Sequence, residues 1–149
     1  MGCGSRRDHN QKAIFIGECM IEISGNIEKI KKSSTNININ FGGDAYNTAV
    51  YFSRLTDKKN ETYFATALGQ DTFSKKMISR FQSEKINCQF IRMDGTTPPG
   101  LYSIETDRNG NRDFSYWRNN SPAKKMFLGS KGKQLIRDLS YADILYYRE

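Results

Sequence analysis

The sequence lacks the features that mark membrane-spanning, disulfide-rich and zinc-binding proteins. No apolar run approaches the roughly 18 residues that a membrane-spanning helix needs. The three cysteines, Cys3, Cys19 and Cys88, are an odd number without metal-ligand spacing, which is typical of reduced thiols. The single histidine, His9, lies in the N-terminal segment, which disfavours histidine catalysis and a zinc site. These absences predict a cytoplasmic protein without membrane attachment or bound metal.

The sequence also lacks internal repeats, low-complexity tracts and a signal peptide. Its 149 residues, 37% of them hydrophobic and 12% aromatic, suffice for one domain with a sizeable core. The net charge of +7 raises the question of a nucleic-acid partner, but the basic residues are scattered rather than gathered on one stripe. We therefore interpret the charge as favouring solubility and expect no nucleic-acid binding. Residues 1–12 are predicted to be a disordered leader, and residues 13–149 one domain.

Apolar periodicity predicts alternating strands and helices in the first part of the chain. Strands are expected at 13–17, 62–66 and 87–93, and helices at 44–55 and 71–84, the second capped by Asp71. The side chains expected to face the core are Tyr46, Ala49, Val50 and Ser53 in the first helix, and Phe73, Met77, Ile78 and Phe81 in the second. This order predicts an α/β fold with a mostly parallel sheet flanked by helices.

The remaining segments predict a hairpin, one more helix and a last strand. Strict alternation at 36–41 is typical of a half-exposed strand, with Ile37, Ile39 and Phe41 on one face. Strands at 100–107 and 112–118 flank Asn109-Gly110, a strong hairpin signal. A helix at 131–139, with Leu135, Ile136 and Leu139 on its apolar side, and a core strand at 142–147 complete the chain.

The length of the hairpin loop decides which side chains share a face. A two-residue Asn109-Gly110 turn would pair Tyr102 with Trp117 and put Tyr116 and Arg118 on the opposite face. A three-residue loop, 109–111, would bring Tyr102, Ile104, Tyr116 and Arg118 to one face, because side chains alternate along a strand. We expect the odd-length loop, with a bulge at Gly110.

Two segments carry residues suited to binding a small ligand. Gly42-Gly43-Asp44 precedes a predicted helix, and its glycines would let the backbone approach an anionic or hydroxyl-rich group, although the spacing alone favours a simple tight turn before the helix. In the hairpin, Arg118 beside aromatic rings suits a carboxylate, whereas the alternative is an ordinary hairpin with aromatic pairs. Glu18 and Glu22 come after the first strand and would either touch ligand hydroxyls or be solvent-facing charges.

Taken together, these residues resemble the ribokinase (phosphofructokinase-B) family of carbohydrate kinases, over roughly residues 13–146. Within it, the hairpin segments resemble the branch that acts on 2-keto-3-deoxygluconate. The resemblance rests on Gly17-Glu18-Cys19-Met20-Ile21-Glu22, Gly42-Gly43-Asp44 with Asn47, Thr66-Ala67-Leu68-Gly69 with Asp71, Pro99-Gly100-Leu101-Tyr102, and Phe114-Ser115-Tyr116-Trp117-Arg118-Asn119.

The resemblance implies a ribokinase-like α/β fold in which strands near 20–41 and 100–118 form a small β lid over the sugar. It implies transfer of the γ-phosphate of ATP, with Mg²⁺, to 2-keto-3-deoxy-D-gluconate, giving the 6-phosphate. By the same resemblance, Gly43, Asp44 and Asn47 would bind sugar hydroxyls. Tyr102, Tyr116 and Arg118 would close over the substrate, with Arg118 at its carboxylate or keto end.

The sequence departs from this family beyond residue 118. Family members are about twice as long, and their second half holds a Gly-Ala-Gly-Asp element with the general base and the nucleotide site. Nothing after residue 118 matches that element, so the chain is expected to be the N-terminal half, without a catalytic base and without tight ATP or Mg²⁺ binding of its own. Two alternatives stay open: a sugar-acid-binding or lid-mediated homodimerisation module that works without catalysis, and, less favoured, a polyanion-binding protein.

Overall fold

The computed structural model describes residues 10–25, 37–56, 60–93, 95–107 and 109–148. Within these ranges the elements lie along the chain in the order β1 (Gln11–Ile16), β2 (Met20–Gly25), β3 (Asn38–Gly42), α1 (Asp44–Thr56), β4 (Asn60–Leu68), α2 (Thr72–Ser83), β5 (Ile91–Met93), β6 (Leu101–Thr106), β7 (Arg112–Trp117), a 3₁₀ turn (Pro122–Lys125), α3 (Gly129–Leu139) and β8 (Ile144–Tyr147). None of the helices in the described ranges is long and apolar enough to cross a membrane.

The main sheet is parallel throughout and has the strand order β5-β4-β1-β8. Successive side chains of a strand point to opposite faces, so strands of this sheet contribute residues to two hydrophobic clusters, one on each face. Phe15 and Phe64 pack on one side, against residues of α1 and α2. Ile14 and Tyr63 pack on the other, against α3 and the 3₁₀ turn. The predicted α/β fold, a parallel sheet covered by helices, is confirmed.

The smaller sheet has the order β3-β2-β6-β7 and corresponds to the predicted lid strands. Its hairpin pairs Tyr102 with Tyr116, so the odd-length loop is confirmed and both rings lie on one face. The loop differs in its bounds from the predicted 109–111, since the last strand pair is Thr106 with Arg112. The reason lies in Asp107, whose carboxylate accepts hydrogen bonds from the backbone N–H of Asn109 and Asn111 and so starts the turn earlier.

The predicted bounds of α1 and α2 hold, but α3 begins at Gly129 rather than at residue 131, and two side chains predicted to face the core do not. In α2 the buried positions include Ser74, whereas Phe73 is 38% exposed, because Ser74 Oγ donates a hydrogen bond to Asp71 Oδ2 over 2.6 Å and turns inward. In α3 the contact face contains Gly132, which packs directly on the backbone of Phe127. That face leaves Ile136 on the outer side of the helix, 54% exposed.

The ends of the chain differ from the prediction as well. The expected core strand at 142–147 is β8, an edge strand that pairs only with β1 in the described residues, and its Leu145 and Tyr147 are 48% and 71% exposed. The first strand begins at Gln11, two residues before the predicted boundary. Residues 1–9 of the predicted leader, and residue 36 of the predicted strand at 36–41, lie outside the described residues.

Candidate functional site

A cleft of about 430 Å³ lies between the N-terminus of α1 and the inner face of the smaller sheet. It opens where β1 ends, and ligands of open α/β sheets bind beyond the carboxyl ends of their strands. All six residues predicted to bind the sugar line it, namely Gly43, Asp44, Asn47, Tyr102, Tyr116 and Arg118. The tertiary structure therefore brings together residues that are up to 75 positions apart, counting from Gly43 to Arg118.

The N-terminus of α1 forms one wall of the cleft. Asp44 and Asn47 both lie on the first turn and are exposed. Gly43 has a φ of +149° and packs on the backbone of the loop after β1, where a Cβ would stand 2.3 Å from the carbonyl oxygen of Glu18. The lack of a side chain at Gly43 therefore allows two backbone segments to pack closely, which a tight turn alone would not require.

The opposite wall is aromatic. The rings of Tyr102 and Tyr116 stack with centroids 5.8 Å apart, and Phe114 stacks on Tyr116 at 6.4 Å. Phe114 was missed as a site residue, although its position two residues before Tyr116 on the same strand places it on the same face. Phe114 and Tyr116 are 44% and 53% exposed, so this surface is available to the apolar face of a ligand.

Tyr102 is the anchor of that wall. Its side chain is buried, and its hydroxyl donates a hydrogen bond to Glu22 Oε2. Burial, then this bond and the charge of Glu22, raise the pKa of Tyr102 well above its usual value. Of the two possibilities left open for Glu22, the structure places its carboxylate on a protein hydroxyl in the cleft. The tyrosine therefore stays protonated and fixed in place at neutral pH.

Arg118 and Glu18 bring opposite charges to the cleft lining and form an ion pair. Arg118 Nε is 2.9 Å from Glu18 Oε2, and the side chains are 38% and 9% exposed. Two further cations, Arg112 and Arg148, line the rim, where Arg148 approaches Asp44 to 3.2 Å in an exposed ion pair. Sequence reasoning missed both, because only the fold brings the first residue of β7 and the end of β8 to this rim.

The arrangement combines hydroxyl acceptors, an aromatic surface and guanidinium groups. Such a set can orient a small polyhydroxy acid, since carboxylate and amide oxygens accept hydrogen bonds from hydroxyls and arginine binds carboxylates. Within the described ranges, no group of three or more His, Cys, Asp or Glu is placed to hold a metal ion. The free thiols of Cys19 and Cys88 lie outside the cleft lining.

Comparison with known proteins agrees with this architecture. The 2-dehydro-3-deoxygluconokinases of Haemophilus influenzae and Escherichia coli K12 are 36% and 37% identical to the chain, over 91% and 92% of its length. The chain spans 42% of each of these curated relatives. The solved structure of a 2-dehydro-3-deoxygluconokinase from Thermotoga maritima aligns with this chain at a TM-score of 0.74 and 18% sequence identity. The alignment covers 93% of this chain and 41% of the Thermotoga protein.

A fructokinase from Xylella fastidiosa superimposes equally well, with a TM-score of 0.74 and 21% sequence identity. That alignment covers 93% of this chain and 41% of the fructokinase. At such identities the solved structures establish the fold alone. The sequence model described as the pfkB family carbohydrate kinase matches residues 10–146. On that match and the identity to its relatives, the chain belongs to the pfkB family of carbohydrate kinases.

Proposed function

We propose that this chain forms the sugar-acid-binding part of a cytoplasmic kinase that phosphorylates 2-keto-3-deoxy-D-gluconate at its 6-hydroxyl. The names of its relatives and its family membership support the reaction class. The observation that carries the choice of ligand is the cleft itself, which Arg118 lines together with the hydroxyl acceptors of the first turn of α1. A neutral sugar would need no guanidinium at that place.

Each wall of the cleft has a part in the proposed binding. Asp44 and Asn47 accept hydrogen bonds from sugar hydroxyls, and Gly43 lets the chain pass close beneath the ligand. Tyr102 and Tyr116 cover the apolar face of the carbon chain. Arg118 binds the carboxylate, for which a planar guanidinium offers two parallel N–H donors.

Phosphoryl transfer also needs ATP, Mg²⁺ and a base that takes the proton of the acceptor hydroxyl. The cleft residues named above offer hydroxyl and carboxylate recognition, and the described residues include no cluster suited to a metal ion. We propose that this chain contributes recognition of the sugar acid, and that the base and the nucleotide site belong to the second half of the family fold.

Calorimetric titration with 2-keto-3-deoxygluconate tests this proposal. Arg118→Ala should weaken binding of the sugar acid by about tenfold or more, since hydrogen bonds to charged groups contribute about 1.5–3 kcal/mol. Arg137→Ala, an exposed arginine of α3 outside the cleft, is the matched control and should change nothing. A parallel assay for ATP-dependent phosphorylation should give no product. No binding by the unaltered chain would contradict the ligand, and turnover would contradict the assignment of recognition alone.

We also propose that two copies associate through the smaller sheet. Ile39 and Trp117 lie on the face opposite to Tyr102, as the strand register requires, and are 56% and 60% exposed. Burying two such side chains contributes about 1.5–3 kcal/mol each. Light scattering should give twice the monomer mass, and Trp117→Ser should lower it, with Tyr141→Ser, at an exposed position just after α3, as the control. A monodisperse monomer would contradict this association.

A further inference from the structure

Glu18 is a buried carboxylate that the proposed binding scheme leaves unused. It lies in the loop between β1 and β2, and its side chain is only 9% exposed. Neither of its carboxylate oxygens accepts a hydrogen bond from any residue that the structure describes. A buried charge costs free energy unless it is paired, and within the described ranges this carboxylate has an ion pair with Arg118.

The contact between the two side chains uses one particular atom of Arg118. Nε is buried and lies 2.9 Å from Glu18 Oε2, in a charge contact whose N–H is not aligned as a hydrogen bond. The Arg118 side chain nevertheless keeps 38% of its surface exposed. Since Nε is buried, the exposed surface belongs to other atoms of the side chain, and Arg118 is among the residues that line the cleft.

Two glycines hold Glu18 in this place. A Cβ at Gly100 would stand 2.5 Å from Glu18 Oε1 and 3.0 Å from Arg118 Cβ, so the pair fits together only because Gly100 has no side chain. Gly43 packs on the backbone carbonyl of Glu18 from the other side. Glu18 therefore packs between the residues that precede α1, precede β6 and follow β7.

We propose that Glu18 is a positioning residue whose buried carboxylate fixes Arg118 at Nε and thereby turns the terminal guanidinium nitrogens toward the cleft. Applied to a ligand, the inference rests on the proposed function, because it needs a carboxylate for Arg118 to bind. A guanidinium held at Nε keeps both terminal nitrogens for a bidentate contact, and pre-organisation lowers the entropy lost on binding.

The opposite effect of Glu18 is repulsion of an incoming carboxylate. If repulsion dominated, removing the negative charge would tighten binding of the sugar acid. We expect positioning to dominate because, although Glu18 lines the cleft, its side chain is only 9% exposed and its charge is paired with the guanidinium of Arg118. The sign of the change in affinity on Glu18→Gln thus separates the two effects.

The test compares Glu18→Gln with Glu105→Gln, an exposed glutamate of β6 outside the cleft lining. Calorimetry measures affinity for 2-keto-3-deoxygluconate and for the same compound with its carboxyl converted to a primary amide. Glu18→Gln should weaken binding of the acid by about tenfold and leave binding of the amide within about twofold, whereas Glu105→Gln should change neither. Equal or tighter binding of the acid would overturn the proposal.

A second readout does not depend on the ligand. The ¹H–¹⁵N signal of Arg118 Nε, assigned by its loss in Arg118→Lys, should exchange slowly with solvent in the unaltered chain and rapidly in Glu18→Gln. If the unaltered chain does not bind the acid, the proposed function fails, and this signal alone decides whether Glu18 positions Arg118. Should Glu18→Gln not fold, a rapidly exchanging Nε–H in the unaltered chain overturns the proposal and a protected one supports it.

Discussion

Replacing Gly43 by alanine would place a methyl carbon 2.3 Å from the backbone oxygen of Glu18. A backbone atom cannot rotate away as a side chain can, so either α1 or the loop after β1 must shift. Gly43 also has a φ of +149°, at which a side chain is strained. The substitution therefore combines the cost of an unfavourable backbone conformation with the cost of overpacking.

Gly95 offers a matched control for the first of these costs. Its φ is +79°, and a Cβ there would meet no atom of the described residues within 4 Å. Gly95→Ala should lower the free energy of unfolding by about 1–2 kcal/mol, the cost of a left-handed conformation. Gly43→Ala should lower it by about 1–3 kcal/mol more, the usual cost of overpacking.

Urea denaturation monitored by circular dichroism measures both variants, and the midpoint should move without a change of slope. Titration with 2-keto-3-deoxygluconate then reports on the cleft, since a displaced Glu18 would carry Arg118 with it. Equal losses of stability in the two variants would refute the reasoning. They would mean that Gly43 is needed only for its backbone conformation, the alternative that the sequence alone leaves open.

Two further predictions concern the framework of the cleft. Asp71→Ala should lower the free energy of unfolding by about 2 kcal/mol, because it removes the N-cap of α2 and leaves the buried hydroxyl of Ser74 without its partner. Ser79→Ala, on the exposed side of α2, is the control and should lower it by less than about 0.5 kcal/mol. Thermal unfolding measures both variants, and similar losses would contradict the capping role of Asp71. Burial, then the hydrogen bond to Glu61, raise the pKa of Tyr63 to about 12. Because this folded-state pKa lies above the unfolded value of about 10, the stabilisation is complete below about pH 10 and is lost between about pH 10 and 12. Urea midpoints across that range should fall less steeply for Tyr63→Phe, and parallel slopes would contradict the assignment.

Local patterns account for most of the fold. The period of the apolar residues placed α1 and α2 correctly, because a helix or strand records in its own sequence which of its faces is buried. The cap at Asp71 was equally readable, since its hydrogen bonds reach only two and three residues along the chain. The odd length of the hairpin loop was expected because it puts Tyr102, Tyr116 and Arg118, which the family resemblance groups together, on one face; Asn109-Gly110 alone is typical of a two-residue turn. Family resemblance supplied the six cleft residues, which remain predictions as ligand contacts.

By itself, the sequence determined the order of strands and helices and the N-cap of α2, since each depends on neighbours a few residues away. Only the tertiary structure decided that Glu18 is buried against Arg118, that Glu22 accepts the hydroxyl of Tyr102, and that β8 pairs with β1. These contacts join residues about 80 to 130 positions apart in the chain. No periodic pattern encodes such a distance, because burial of a charged side chain depends on which elements meet around it.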